Sequence, residues 1–320
     1  MAAQPFRAPP WLANPHLQTV YGSLIAAKPV VDYRRERWET PDGDFVDTDH
    51  VDGLPDRPWV VLFHGLEGSS DSPYARTLMH RVAARGWRGT VVNFRGCSGE
   101  PNRLPRAYHS GDADELDWVL RRLRALAGRA PLYAVGISLG GNALLKWLGE
   151  LGEEAAPIVT AAAAVSAPLD LMAAGAALEK GFSLLYAKHF LATMKARAAA
   201  KHARFPQSFD LARMRRARTL REFDDVVTAP LHGFRDTDDY WTRASAKPVL
   251  GRIAVPTLVL NARDDPFLPE SALPGANEVS AAVRVEFPDR GGHVAFVSGP
   301  FPGHIGWLPA RVLHFFDHLE

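Results

Sequence analysis

Short apolar segments alternate with helical patterns along most of the chain. Six mainly apolar runs predict strands that are buried on both faces, as in a parallel sheet covered by helices. These runs span residues 58–63, 89–94, 130–136, 158–166, 255–261 and 283–287. Amphipathic patterns predict helices at residues 72–86, 111–128, 139–151 and 308–319. The alternation therefore predicts an α/β fold with a mostly parallel central sheet and right-handed crossovers.

Two parts of the chain depart from this alternation. Residues 33–40 and 44–51 predict two antiparallel edge strands around a turn at residues 41–43. Residues 168–247 are helical in pattern and contain no convincing strand. The simplest interpretation is one domain over residues 1–320, with a helical cap at residues 168–247 inserted between two sheet strands.

The predicted cap is divided by charge and carries apolar residues. Residues 171–221 hold eleven Lys or Arg and two acidic residues, whereas residues 222–239 hold six acidic residues and one Arg. A charge run usually marks a solvated helix face, but it also fits peripheral contact with an anionic head group or membrane surface through Lys188, Lys195 and Arg197. The cap is expected to cover the end of the sheet that carries the chemistry. The apolar side chains available for that purpose are Leu171, Met172, Phe182, Leu184, Leu185, Phe190 and Leu191.

Composition and charge exclude several classes of protein. The chain has 320 residues, of which 47% are hydrophobic, so it can bury a sizeable core. A net charge of +1 gives no sign of a nucleic-acid partner. The single cysteine, Cys97, cannot form an intramolecular disulfide and is typical of a reducing compartment, so we expect a cytoplasmic protein. We expect no secretory signal and no membrane span, because no apolar run is long and unbroken enough.

A lone serine lies between two glycines where a predicted strand meets a predicted helix. Residues 136–140 read Gly-Ile-Ser-Leu-Gly, and this G-x-S-x-G pattern predicts a nucleophile elbow that exposes Ser138. The flanking glycines relieve crowding around a strained serine backbone. The competing interpretation is that Ser138 only caps the following helix.

A serine nucleophile requires a base, and the base requires an acid that orients it. At an elbow of this type the order along the chain is serine, acid, histidine. The segment LVLNARDDPFLP presents Asp264 and Asp265 after a strand, and VEFPDRGGHVAF presents His293 after the next strand. Open α/β sheets bind ligands at the carboxyl ends of their strands, so these side chains are expected to meet there. Asp170, after an earlier strand, is a third candidate for the acid.

When a serine nucleophile attacks an acyl group, negative charge develops on the carbonyl oxygen, and this oxyanion requires hydrogen-bond donors. The N–H of Leu139, at the start of the helix after the elbow, is one expected donor. The second is expected in the loop after the first parallel strand, where His64-Gly65 allows a sharp turn that points the N–H of Leu66 inward. His64 itself is expected to hold this loop.

Together these stretches resemble the α/β-hydrolases, and within them the bacterial YheT-like branch related to the mammalian ABHD1, ABHD2 and ABHD3 lipases. The matching segments lie within residues 9–296 and read PPWLANPHLQTVYG, HGLEGSSDSPYARTL, NFRGCSGEPNRLPRAYHSGDADEL, GISLGGNALLKWLGE, NARDDPFLP and GGHVAF. The resemblance implies an α/β-hydrolase fold and a serine hydrolase with Ser138, Asp265 and His293 as its triad. It also implies carboxylic-ester or lipid-acyl substrates and no cofactor. The Asp-x-x-x-Pro spacing of related enzymes favours Asp265 over Asp264. NPHLQT matches the family, and no role beyond packing is predicted for it.

Other reactive residues receive structural interpretations. The resemblance adds an H-x-x-x-x-D pattern linked with acyl transfer, His109 to Asp114, whose loop context favours a structural role. Cys97 is interpreted as a small residue in a tight turn. His314 and His318 share a helix face but have no third metal ligand, so no metal is expected. We therefore expect hydrolysis of lipid or medium-chain acyl esters through an acyl-enzyme, with acyl transfer by the same triad or a non-catalytic binding protein as the alternatives.

Overall fold

The computed structural model describes residues 5–319, and its centre is one sheet of eight strands in the order β1-β2-β4-β3-β5-β6-β7-β8. Strands β3 to β8 are parallel to one another, whereas β2 is antiparallel to both β1 and β4. The expected hairpin before the parallel strands is present, although only β1 lies at the edge. The bounds are β1 (Arg34–Glu39), β2 (Phe45–Val51), β3 (Trp59–Phe63), β4 (Arg88–Asn93), β5 (Leu132–Ile137), β6 (Ala161–Val165), β7 (Thr257–Leu260) and β8 (Val283–Glu286).

Helices follow or separate the strands, so the expected α/β fold is confirmed. Their bounds are α1 (Pro15–Leu24), α2 (Pro73–Ala84), α3 (Ala113–Ala127), α4 (Leu139–Leu151), α5 (Leu171–Leu178), α6 (Ser183–Arg204), α7 (Leu211–Arg216), α8 (Leu220–Phe223), α9 (Ala229–Leu231), α10 (Thr237–Ala244) and α11 (Trp307–Asp317). Within residues 5–319, no helix has the length and apolar character needed to cross a membrane.

Both faces of the sheet are covered, which explains its nearly continuous apolar strands. Successive side chains of a strand point to opposite faces. In β3, Val61 and Phe63 join the apolar cluster that includes α3 and α4, whereas Val60 and Leu62 join the cluster that includes α2 and α11. All four side chains are at most 1% exposed.

The chain between β6 and β7 forms the helices α5 to α10 and has an apolar cluster of its own. Trp241 is central to this cluster: its indole donates to the buried carboxylate of Asp224 at 2.9 Å. The ring also lies so close to Gly175 that a Cβ there would be 2.3 Å away. Tertiary packing therefore holds these short helices, since few of them are long enough to be stable alone.

The basic half of this helical segment binds carbonyl groups of the protein itself. The ammonium of Lys195 donates to the carbonyl of Arg215 at 2.9 Å, and the guanidinium of Arg197 donates to the carbonyl of Gly96 at 2.7 Å. Lys195 and Arg197 thus have partners within the protein, and the contact of this half with an anionic surface stays a prediction. Lys188 is exposed and has no side-chain partner among residues 5–319.

Candidate active site

The turn between β5 and α4 places Ser138 in a backbone conformation that side chains rarely adopt. Its φ is 52°, and its N–H donates to the carbonyl of Val165 at 2.8 Å. The neighbouring glycines are required by close packing of the backbone. A Cβ on Gly136 would lie 2.4 Å from the carbonyl oxygen of Gly140, and a Cβ on Gly140 would lie 2.4 Å from that of Phe63. The G-x-S-x-G pattern thus follows from the crowding of this turn.

The side chain of Ser138 does not cap α4; it contacts a histidine. The Oγ of Ser138 lies 2.9 Å from Nε2 of His293. Nδ1 of His293 lies 2.9 Å and 3.1 Å from the two carboxylate oxygens of Asp265. With the Nδ1 proton held by this buried carboxylate, Nε2 is left as an acceptor for the serine hydroxyl. The ring of Phe267 stacks on the imidazole at 4.0 Å and fixes its plane.

The three candidate acids have different partners. Asp264 accepts the N–H of Gly292 at 2.9 Å, and burial raises the pKa of its carboxyl group. Asp170 caps the N-terminus of α5 by accepting a backbone N–H at 3.0 Å. Neither carboxylate bonds the imidazole of His293, so the structure brings only Asp265 to it.

Helix α1 holds the loop that carries His293. The hydroxyl of Thr19 accepts the backbone N–H of His293 at 2.9 Å and donates to the carbonyl of Pro15 at 2.8 Å. Gly292, with φ of +60°, packs so closely that a Cβ would lie 2.6 Å from the same carbonyl. No role beyond packing is predicted for NPHLQT from the sequence, so this contact was missed. The available signal was Asn14 followed by Pro15, a typical helix start, which would have predicted α1.

The two residues predicted to form the oxyanion hole, Leu66 and Leu139, line the same cavity as Ser138. Their backbone N–H groups have no acceptor within residues 5–319. His64 holds the first loop, because its Nδ1 donates to the carbonyl of Gly65 at 2.8 Å while its Nε2 accepts the N–H of Phe94 at 3.1 Å. Complete burial lowers the pKa of His64 to about 4, which keeps the ring neutral in this role.

Two tyrosine hydroxyls fix the backbone on either side of Leu66. Tyr74 accepts the N–H of Gly65 at 2.9 Å, and Tyr108 accepts the N–H of Glu67 at 2.8 Å. The backbone N–H groups on both sides of Leu66 are thereby bound, which leaves that of Leu66 itself available. Both tyrosines lie within segments that carry the family resemblance, but no role was predicted for either of them.

Ser138 and His293 line a mainly apolar cavity of about 540 Å³. The helices between β6 and β7 supply much of its wall, and α1 and the loops after β3 and β4 supply other parts. Of the seven apolar residues proposed from the sequence for this wall, only Leu171 and Phe190 line it. The other apolar lining residues include Val20, Leu24, Leu178, Tyr186, Met194 and Trp241.

The residues of the H-x-x-x-x-D pattern are not bonded to each other. His109 lines the cavity, and burial lowers the pKa of its ring to about 4. Its Nδ1 accepts the N–H of Gly111 at 3.2 Å, so it holds its own loop. Asp114 is exposed on the first turn of α3.

Cys97 and the histidine pair of α11 lie apart from the triad. The Sγ of Cys97 accepts from Arg197 at 3.0 Å, and burial raises the pKa of the thiol to about 11. That pKa disfavours the thiolate that a nucleophile needs. The rings of His314 and His318 adjoin at 4.2 Å. The structure from residue 5 to 319 has no group of three or more His, Cys, Asp or Glu that could hold a metal ion.

Comparison with known proteins decides the family. Residues 58–300 match the sequence profile described as the alpha/beta hydrolase fold. The chain belongs to the α/β-hydrolase family. This α/β-hydrolase is 43% identical over 305 residues to the YheT protein of Escherichia coli K12, covering 94% of this chain and 89% of YheT. It is 33% identical over 307 residues to the phospholipase ABHD3 of Mus musculus, covering 93% of this chain and 72% of ABHD3. The expected resemblance to the YheT and ABHD proteins is confirmed.

More distant relatives agree on the fold and the general class. The α/β-hydrolase chain is 30% identical to the medium-chain fatty acid ethyl ester synthase/esterase 2 of Saccharomyces cerevisiae, covering 83% of this chain and 63% of the yeast protein. Among solved structures, the esterase EaEST from Exiguobacterium antarcticum superposes with a TM-score of 0.58 at 16% identity, covering 89% of this chain and 100% of EaEST. The fold expectation is confirmed, and the relatives support the expected carboxylic-ester hydrolase.

Proposed function

We propose that this protein is a serine hydrolase that cleaves carboxylic esters with lipid or medium-chain acyl groups through an acyl-enzyme. The observation that carries the proposal is the continuous set of bonds from Ser138 through His293 to Asp265 at an apolar cavity. Relatives named as phospholipase and esterase support the same reaction class. A cytoplasmic location is part of the proposal and rests on the sequence alone.

Each triad residue has a distinct role in the proposed reaction. Oγ of Ser138 attacks the ester carbonyl carbon while Nε2 of His293 takes the hydroxyl proton. The same proton then passes from Nε2 to the leaving alcohol, and the acyl group stays on Ser138. Asp265 keeps the second imidazole proton on Nδ1 and stabilises the positive charge that forms on the ring. A water molecule repeats the sequence and releases the acid.

The oxyanion is stabilised by backbone rather than by side chains. The N–H groups of Leu66 and Leu139 have no acceptor within residues 5–319 and belong to residues that line the cavity with Ser138. Each donor lowers the barrier by on the order of 3 kcal/mol. The N-terminus of α4 adds the positive end of its dipole at the same place. Because the donors are fixed before substrate binds, little reorganisation is needed in the transition state.

The apolar cavity predicts a preference for longer acyl groups. Each CH₂ group buried in it contributes about 0.8 kcal/mol, which is close to a fourfold gain in kcat/KM until the cavity is full. A series of p-nitrophenyl esters from acetyl to dodecanoyl measures this gain. The proposal expects kcat/KM to rise over the first several members and then level off. A flat profile would count against an acyl site in this cavity.

Acyl transfer is a second candidate, because the yeast relative is named as both a synthase and an esterase. In that reaction an alcohol replaces water in the attack on the acyl-enzyme. Product analysis with a medium-chain acyl ester and added ethanol distinguishes the two reactions. Hydrolysis predicts mainly free acid, whereas transfer predicts an ethyl ester that rises with the alcohol concentration while the total turnover stays the same or increases.

A further inference from the structure

Large apolar side chains are exposed on two segments beside the mouth of the catalytic cavity. On α1, Leu17 is 56% exposed and Leu24 is 75% exposed, and Ile25 directly after it is 63% exposed. At the start of α6, Phe182 is 51% exposed and Leu185 is 53% exposed. With Leu184 these residues form what we call the apolar rim, which consists of Leu17, Leu24, Ile25, Phe182, Leu184 and Leu185.

The two segments adjoin in space and share the cavity. The ring of His16 lies 4.6 Å from that of Phe182, and the hydroxyl of Tyr186 donates to the carbonyl of His16 at 3.3 Å. Leu24 of α1 and Tyr186 of α6 both line the cavity that contains Ser138. The apolar rim therefore lies on two segments that also line the cavity of the nucleophile.

The spacing of the rim residues on α1 places two of them on one exposed face of that helix. Leu17 and Leu24 are seven residues apart and so share a face of α1, whereas Gln18 and Gly22 on another face are buried. Eleven large apolar side chains are exposed in residues 5–319, and the rim accounts for six of them. Single exposed apolar residues need no explanation, but a cluster beside a cavity mouth marks an interaction site.

Two lysines next to the rim are exposed and have no charged partner in the described part of the chain. Lys180 lies two residues before Phe182, and Lys188 lies one helical turn after Leu184 on the same face of α6. Both lysines are exposed, and the structure of residues 5–319 gives neither a side-chain hydrogen bond nor an ion pair. Apolar side chains flanked by free lysines are typical of surfaces that lie in the head-group region of an anionic membrane.

We propose that the apolar rim docks on a phospholipid surface that carries anionic head groups, with the cavity mouth facing the lipid. A protein seated on the rim would close the opening, whereas a lipid surface would deliver acyl esters directly into it. The purpose of docking thus rests on the proposed esterase function, but docking itself is a separate physical property. Leu and Phe side chains enter the acyl boundary while Lys180 and Lys188 remain among the head groups.

Vesicle flotation with the full chain carrying Ser138→Ala tests docking without hydrolysis. Two vesicle types are used: phosphatidylcholine alone, and an equal mixture of phosphatidylcholine and phosphatidylglycerol. Binding is expected to be tighter on the mixture. Leu17→Ser or Leu185→Ser should each lower the partition coefficient about tenfold, because the free energy gained by burying one Leu side chain corresponds to at least that factor. Lys188→Glu should weaken binding to the mixture alone.

Matched controls come from the opposite end of the sheet. Leu54 and Leu126 are 59% and 55% exposed and lie near the amino ends of β3 and β5. Leu54→Ser and Leu126→Ser should leave the partition coefficient unchanged. Equal binding by the control and rim variants would overturn the proposal. So would a concentration-dependent dimer in light scattering that Leu17→Ser abolishes, because a second copy would then cover the rim.

The esterase proposal and the docking proposal fail in different ways. With Ser138 intact, Leu17→Ser should hydrolyse p-nitrophenyl acetate in solution at the unaltered rate. It should lose about tenfold in rate on esters presented in the mixed vesicles. If no variant or parent hydrolyses any ester but vesicle binding still depends on the rim, the esterase function is overturned and docking stands.

Discussion

Exchanging Asp265 for Asn should reverse the polarity of its bond to His293. In the unaltered protein Oδ1 accepts the N–H of Phe267 at 2.8 Å, and Oδ2 lies 2.9 Å from Nδ1 of the imidazole. In Asp265→Asn, the buried N–H of Phe267 still needs an acceptor, so the amide oxygen takes the Oδ1 position. The amide nitrogen then faces Nδ1 of His293 from the Oδ2 position.

The consequence is a histidine in the wrong tautomer. Nδ1 must accept the hydrogen bond, so the ring proton moves to Nε2, which lies 2.9 Å from Oγ of Ser138 and can no longer take its proton. The expected loss is on the order of 10⁴ in kcat, or about 5 kcal/mol in the activation barrier. The shape and packing of the side chain hardly change, so the thermal unfolding midpoint should stay close to that of the parent.

Asp264→Asn is the matched control for this change. Its Oδ1 accepts the N–H of Gly292 at 2.9 Å, and an amide oxygen can replace it without touching the imidazole. Its effect on kcat should therefore remain below about tenfold. Stopped-flow release of p-nitrophenol from a medium-chain ester measures acylation in both variants. An equal loss in the two, or a larger loss in Asp264→Asn, would refute this assignment of the acid.

Two further predictions concern groups that hold the site. Thr19→Val leaves the backbone N–H of His293 without its acceptor and should lower kcat roughly tenfold with little change in KM. Thr19→Ser keeps the hydroxyl and should retain the kcat of the parent. Equal losses of kcat in both variants would contradict a positioning role. Burial lowers the pKa of His64 from 6.5 to about 4, so the unfolded chain takes up its proton first as pH falls. The free energy of unfolding of the unaltered protein should therefore fall by about 3 kcal/mol between pH 6.5 and 4 because of His64. His64→Gln should lack this loss, and parallel curves of unfolding free energy against pH for the two proteins would contradict the prediction.

The elements that were predictable from the sequence are those that leave a short, recurrent pattern of residue types in it. The glycines around Ser138 are fixed by contacts within a few residues of the elbow or on the adjacent strand. The apolar strands reflect burial on both faces of the sheet. The contact between Thr19 and His293 joins residues 274 apart, and no local pattern records it. The same holds for Tyr74 and Tyr108, which reach the oxyanion loop from other segments.

The helices between β6 and β7 show a different limit of prediction from the sequence. The sequence predicts helices here and apolar residues that could line a cavity. However, α6 is rich in alanine and only weakly amphipathic, so its own pattern does not define which face points inward. Tyr186 and Phe190 line the cavity, whereas Leu184 and Leu185 face solvent. The partners of the charge run were not predictable for a related reason, because Lys195 bonds a carbonyl group that only the folded chain brings near.

Labelling with a fluorophosphonate, followed by peptide mass spectrometry, tests the central claim that Ser138 is an activated nucleophile. The strained elbow, the 2.9 Å contact to His293 and the two free N–H donors predict one modified residue, Ser138, in the parent protein. They also predict that Ser138→Ala shows neither labelling nor ester hydrolysis while it unfolds at a similar temperature. Labelling at another residue, or a folded Ser138→Ala variant that retains full turnover, would contradict the mechanism.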